Sequence, residues 1–291
     1  MPMNNRLLRP RATGFNPKSI AGLTAWYDAA DAATITAVSG GVSVWADKSG
    51  LGRTLYQGTA ANRPATGTRT IGGKNALDFD GSNDCLLSGD PGVVTTNGAS
   101  YSVDAQSARA LAIFVVCAAD TPDAVMRLVS LQRNRTSLTT GNANDTGAYL
   151  ARHTASTANW EMATGAGDAT SNDQLSKNFL RRTTASFSTT NAEVVSGAVS
   201  ASANTLTIRN NGTDQALTTR YGTNTASGFL SEGTGNHSLD IGCSRGGSNV
   251  ANPDNWNGVV GEVLVYLTTL TASQTSSIER YLGRKWGVTI A

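Results

Sequence analysis

The chain has 291 residues, a formal net charge of +2 and only 15% charged residues, with five Lys and five Glu. Average globular domains carry about 25% charged residues, so long, heavily helical structure is not expected, while a hydrophobic fraction of 39% still supplies a core. Near neutrality argues against nucleic-acid binding, no stretch approaches the about 18 apolar residues of a membrane span, and the N-terminus lacks the apolar core of a secretory signal.

The first 18 residues stand apart: Arg6, Arg9, Arg11 and Lys18 occur without an acid, around Leu7-Leu8, with Pro10 and Pro17 following. Such a segment has too few apolar residues for a core of its own and reads as an extended basic arm that a partner orders, through Arg6, Leu7, Leu8, Arg9 and Arg11. From Leu23 onward, short β-branched or aromatic runs alternate with Gly, Asn, Asp and Ser clusters. The runs predict strands over 23–27, 42–45, 76–79, 111–118, 127–131, 149–153, 160–163, 183–188, 192–195, 205–209, 238–241 and 259–267, and that spacing predicts an antiparallel sandwich. Leu111 to Cys117 is apolar without alternation, so this strand is expected to be covered on both faces. Asn211-Gly212 is the clearest tight-hairpin signal, because both residues accept positive φ. Helix is predicted only at the C-terminus, where Thr271 and Gln274 have capping-box spacing, Ile278, Leu282 and Trp286 share a face, and Gly287 ends the pattern.

Five segments carry a resemblance: Gly22-Leu-Thr-Ala-Trp-Tyr-Asp-Ala-Ala-Asp31, Val44-Trp-Ala-Asp-Lys-Ser-Gly50, Ala76-Leu-Asp-Phe-Asp-Gly81, Gly261-Glu-Val-Leu-Val-Tyr266 and Tyr281-Leu-Gly-Arg-Lys-Trp-Gly287. In this order they resemble the concanavalin A-like, laminin-G-type jelly-roll domains of bacterial surface proteins and of bacteriophage head or tail proteins. The resemblance implies an all-β antiparallel jelly-roll sandwich over 19–291 with a C-terminal α-helix, preceded by the arm at 1–18. It also implies a carbohydrate-binding, protein-binding or structural role, with calcium in the loops of some members.

Candidate chemistry is sparse. Gly242-Cys-Ser-Arg-Gly246 matches a nucleophile elbow with Ser244 as nucleophile, but no His follows residue 237 and a Gly/Asn-rich loop stands where the helix is required. No Glu-x-Asp pair puts two carboxylates on one strand face, so a glycosidase is disfavoured and no catalytic residue is assigned. Asp78, Asp80 and Asp84 with Ser82 read either as a calcium loop or as a β-turn closed by its own carboxylates. Trp160 and Trp256, beside Asn159 and Asn255, are expected at loop edges, where they read either as rim packing or as a candidate glycan site; Trp26, Trp45 and Trp286 are expected in the core. Arg133, Arg135 and Arg152 read as a solvated basic face. Cys85, Cys117 and Cys243 lack metal or disulfide-framework spacing and read as small hydrophobes.

These readings combine into a non-enzymatic structural component of a phage virion, a capsid decoration, head-fibre or tail protein. It would be held to other virion proteins by its arm, be present in several copies or as a homo-oligomer, and need no cofactor unless calcium binds. The alternative is a carbohydrate-binding, lectin-like adhesin that recognises a surface glycan.

Overall fold

The computed structural model describes residues 14–88, 109–120, 126–133, 146–153, 158–165, 178–187, 190–200, 202–221, 237–243 and 255–291. Its strands are β1 (Leu23–Asp28), β2 (Ile35–Val38), β3 (Gly41–Trp45), β4 (Leu55–Tyr56), β5 (Ala65–Ile71), β6 (Lys74–Asp80), β7 (Leu86–Ser88), β8 (Ala110–Ala119), β9 (Met126–Arg133), β10 (Thr146–His153), β11 (Asn159–Gly165), β12 (Asn178–Thr183), β13 (Glu193–Ser200), β14 (Thr205–Asn210), β15 (Thr213–Asp214), β16 (Leu217–Tyr221), β17 (His237–Ile241) and β18 (Asn257–Tyr266), followed by helix α1 (Ala272–Trp286).

Pairing sorts these strands into two antiparallel layers. In the back layer β18 is flanked on one edge by β1 and β6 and on the other by β8, which continues to β13, β14 and β15; β5 extends the sheet beyond β6. The front layer runs β2-β3-β4-β7-β17-β9-β10-β11-β12-β16. A pairing of Gly41 with Ala65 joins the layers at one edge. They press closely together: a Cβ on Gly197 of β13 would lie 2.7 Å from the Met162 sulfur of β11. The architecture is the antiparallel jelly-roll sandwich that the sequence predicts.

Every residue of β8 is buried. The front layer covers one face and α1 the other, which is why the run at Leu111 shows no alternation. Helix α1 has the expected ends: Thr271 accepts from the Gln274 N–H, Gln274 reaches back to the Thr271 N–H, and Gly287 closes the helix at φ 72°. Ile278, Leu282 and Trp286 are buried against the back layer. The Asn211-Gly212 turn joins β14 to β15 with φ of 47° and 84°. One predicted strand moves: of its described residues, 183–187, only Thr183 lies in a strand, at the end of β12, whose ladders to β11 and β16 use the residues before it. Six short strands (β2, β4, β5, β7, β15 and β16) lacked a sequence signal strong enough to predict them.

Residues 14–18 of the expected arm are seated on the sandwich. Phe15 packs on Tyr281 with ring centroids 5.5 Å apart, and the Tyr266 hydroxyl donates to the Pro17 carbonyl at 3.1 Å. Arg6, Leu7, Leu8, Arg9 and Arg11 lie outside the described residues, as does Ser244.

The cysteine reading is corrected. Cys85, just before β7, and Cys243, just after β17, form a disulfide with Cα atoms 5.5 Å apart, and Cys117 is buried as a free thiol. The sequence separation of 158 hid the pair, since β7 and β17 become neighbours only when the front layer assembles.

Candidate functional site

Alternation on the front layer determines which side chains can meet a ligand. Leu150 and Met162 point at β13. The residues between them, Tyr149, Ala151 and His153 on β10 with Glu161 and Ala163 on β11, therefore face away from the core, and the register carries this face to Leu180 and Arg182 on β12. Tyr149, Ala151, Ala163 and Leu180 form an apolar cluster of their own, separate from the main core.

A polar network is built on this cluster. The Tyr149 hydroxyl donates to Glu161 Oε1 at 2.8 Å, and the Arg182 guanidinium donates to Glu161 Oε2 at 3.3 Å and to His153 Nδ1 at 2.7 Å. Because Arg182 can only donate, the His153 ring accepts at Nδ1, which fits a neutral ring protonated at Nε2. Arg127 of β9 lies over the Tyr149 ring at 3.5 Å from its centroid. In register beside them, Ser130 of β9 pairs with both Tyr149 and Asp240 of β17. Burial pushes the Tyr149 phenol well above its ordinary pKa; the Arg127 charge opposes the shift and Glu161 adds to it. Guanidinium donors and carboxylate acceptors are groups that can bind a polyhydroxylated ligand; here Tyr149, Glu161 and His153 are buried and the Tyr149 ring is covered by Arg127.

The tryptophans of the expected glycan quartet are not on this face: Trp160 and Trp256 are 0% exposed and stack on each other between the layers, 6.2 Å apart at 19°. Asn159 is in register with His153 but is buried and spends its amide on the Thr183 and Ala185 carbonyls, and Asn255 is buried as well. Trp160 alternates with Glu161, so one of the two had to face the core, and the larger apolar ring does. Arg152, expected on a solvated face, is likewise buried: it ion-pairs with Glu193 of β13 across the layers and lies 4.7 Å from the Trp160 ring centroid, while Asn210 also donates to Glu193. The Arg133 side chain and Arg135 lie outside the described residues.

The three aspartates of the loop at 78–84 are not convergent. Asp78 pairs with Arg69 at 2.9 Å, Asp80 accepts from the Ser82 and Asn83 N–H groups, and Asp84 accepts from the Asp80 N–H at 2.9 Å. The carboxylates close the turn, and among the described residues no three His, Cys, Asp or Glu are grouped to hold a metal ion.

A second charged cluster, which the sequence did not single out as a site, lies between the back layer and α1. Glu262 is 0% exposed and accepts from Trp26 Nε1 at 2.7 Å, Trp286 Nε1 at 2.6 Å, the Tyr281 hydroxyl at 2.8 Å and Lys285 Nζ at 2.6 Å. Lys285 Nζ is also 2.7 Å from Asp28 Oδ1, and Lys48 Nζ bridges Asp28 Oδ2 at 2.7 Å and Asp31 at 2.6 Å. Hydrogen bonding to Lys48 lowers the Asp31 pKa. Burial opposes the charge on Lys48, but its bonds to Asp28 and Asp31 outweigh that and raise its pKa. Four of the five resembling segments meet in this cluster, so their shared occurrence has a physical cause. Each described Glu is paired with a cation: Glu161 with Arg182, Glu193 with Arg152, Glu262 with Lys285 and Glu279 with Arg209.

No family model matches the chain, and no curated protein matches it in sequence. Among solved structures, the Trypanosoma rangeli sialidase superposes with a TM-score of 0.53 at 14% identity, over 91% of this chain and 33% of that one. The same sialidase in complex with sialic acid gives 0.53 and 16% over the same shares, 91% and 33%. The CBM40 module of the Ruminococcus gnavus IT-sialidase, bound to α2,3-sialyllactose, covers 59% of this chain and 82% of its own at 16% identity, with a TM-score of 0.45 that carries no argument. At such identities the likeness establishes the sandwich fold alone. The chain spans about a third of the length of the sialidases it resembles.

Proposed function

We propose that the chain is a carbohydrate-recognising module that binds a glycan on the outer face of its front layer and does not turn it over. The observation that carries the reading is the network of Arg127, Tyr149, Glu161, Arg182 and His153 on the side of the sheet away from the core. Tyr149, Glu161 and His153 are buried and the Arg182 side chain is 14% exposed, with Tyr149 and Arg182 both bonded to Glu161, so a glycan would enter at Arg182 and exchange these internal bonds for its own. A recognition role also suits the described glutamates, each of which is engaged by a cation instead of standing as a free acid and base pair.

The test is a glycan array probed with the full chain, followed by titration of the best ligand against Tyr149→Phe and Arg182→Ala. Each substitution is expected to weaken binding by about tenfold or more, the worth of one charge-assisted hydrogen bond, with the fold kept by circular dichroism although the melting midpoint falls, because Glu161 loses a partner. Absence of binding to every immobilised glycan, or affinities unchanged in both variants, refutes the assignment.

A second reading, a structural role on a phage particle in multiple copies, is favoured by the arm, whose four basic residues within 1–18 have no acid among them. Its attachment would run through Arg6, Leu7, Leu8, Arg9 and Arg11 to an acidic surface with an apolar groove, and weaken at raised salt. Residues 14–18 are seated on the domain, so the informative truncation removes residues 1–13; unchanged incorporation of that variant into particles ends this reading.

A further inference from the structure

The cluster around Glu262 brings an amine, a carboxyl and a second carboxylate together in a largely enclosed place. Asp28 and Glu262 are cross-strand partners on β1 and β18, so the sheet register sets the distance between the two carboxyls. Lys285, in the last turn of α1, inserts its amine between them, 2.7 Å from Asp28 Oδ1 and 2.6 Å from Glu262 Oε2. Side-chain exposure is 5% for Asp28, 0% for Glu262 and 18% for Lys285. The Tyr281 and Trp286 rings lie 5.7 and 5.4 Å from the amine. Three further donors, Trp26, Trp286 and Tyr281, hold the Glu262 carboxylate in one orientation, and Lys48 sits on the other oxygen of Asp28.

A buried salt bridge also needs its remaining lone pairs satisfied, which the indole and phenol donors do; what it does not need is the second carboxyl on the same amine with a cation on that carboxyl's far oxygen. An amide-forming site does: it needs a nucleophile and a carboxyl held in contact, a base on the amine, a cation on the oxygen that gains charge, and little water. We infer that Lys285 and Asp28 condense into an intramolecular isopeptide bond that ties helix α1 covalently to strand β1, with Glu262 as the catalytic proton carrier.

The step balances within the chain. Glu262 relays a proton from the Lys285 ammonium to Asp28 Oδ1, leaving a neutral amine beside a neutral carboxyl. The amine lone pair attacks Cγ, forming the C–N bond, and charge gathers on Oδ2, facing Lys48. The C–Oδ1 bond then breaks as the Cγ–Oδ2 double bond re-forms, and Oδ1 leaves with its electron pair as water, carrying the relayed proton and a second one that Glu262 moves to it from the nitrogen. The net change is the loss of one water and of one positive and one negative charge.

Intact mass of the reduced, denatured full chain is the test. The expected result is a mass lower by one water than the sequence requires, after allowance for removal of Met1, together with a branched tryptic species joining residues 19–48 to residues 285–291. Lys285→Arg should restore the full mass, and Glu262→Gln should leave most of the chain unlinked. A wild-type chain of full mass with only unbranched peptides overturns the proposal. So does a dehydrated chain without the branched species, since Asp80-Gly81 can lose water by closing on its own backbone. If the Glu262 variant fails to fold by circular dichroism, the wild-type peptide map alone decides.

Discussion

Trp286→Ala is the perturbation that tests the packing of α1 most directly. The indole is 1% exposed, and it lies so close to β18 that a Cβ on Gly261 would come within 2.9 Å of its Cζ3. Truncation to Ala opens a cavity that cannot collapse onto a neighbouring strand, at a cost of about 3 to 5 kcal/mol. It also removes one of the four donors to Glu262, at 2.6 Å; Lys285 stays on the same oxygen, and the lost hydrogen bond to a charged group adds about 1 to 3 kcal/mol. At roughly 2 to 4 °C per kcal/mol for a domain of this size, the melting midpoint should fall by about 8 to 30 °C. Trp286→Phe separates the two contributions, since it keeps most of the ring contact and loses the donor, and it should cost about 1 to 3 kcal/mol. Thermal melts and guanidinium titrations followed by far-ultraviolet circular dichroism measure both. A midpoint for the alanine variant within a few degrees of wild type would refute the assignment of α1 as an integral layer of the fold.

The denatured, unreduced chain should titrate as one thiol, that of Cys117, and three thiols would remove the Cys85–Cys243 link. Cys243→Ser should lower stability by up to about 5 kcal/mol, the entropic ceiling for so long a closed loop, and an unchanged denaturation midpoint would contradict that. Asp84 is 5% exposed, and burial, opposed by the Asp80 N–H but reinforced by the Asp80 and Asp78 charges, raises its pKa from 3.8 to about 6. Folding therefore takes up a proton between about pH 4 and pH 6, and stability declines as pH rises through that window, by on the order of 1 to 3 kcal/mol. Asp84→Asn keeps an oxygen for the Asp80 N–H and should flatten the decline; parallel melting-versus-pH curves for the two proteins would refute it.

What the sequence by itself determined is what neighbouring residues can settle. The capping box of Thr271 and Gln274, the left-handed stop at Gly287 and the Asn211-Gly212 turn are preferences of a few adjacent backbone units, and the structure has all three where they are written. The unalternating run at Leu111 likewise announced a strand with two covered faces, because no polar residue was present to meet water.

Tertiary structure decided which face of an alternating strand is inside and which distant strands become neighbours. Alternation in Asn159-Trp160-Glu161-Met162 defines two faces without naming the core side; contact with β13 buried the tryptophan and turned Glu161 to the opposite side of the sheet, where it is buried against Tyr149 and Arg182. The disulfide, the Arg152–Glu193 pair across the layers and the meeting of Asp28, Glu262 and Lys285 each depend on strands or helices that come together only when the layers close. Local composition carries no record of such pairings, since their energies arise from desolvation and distance between groups that the chain itself keeps far apart.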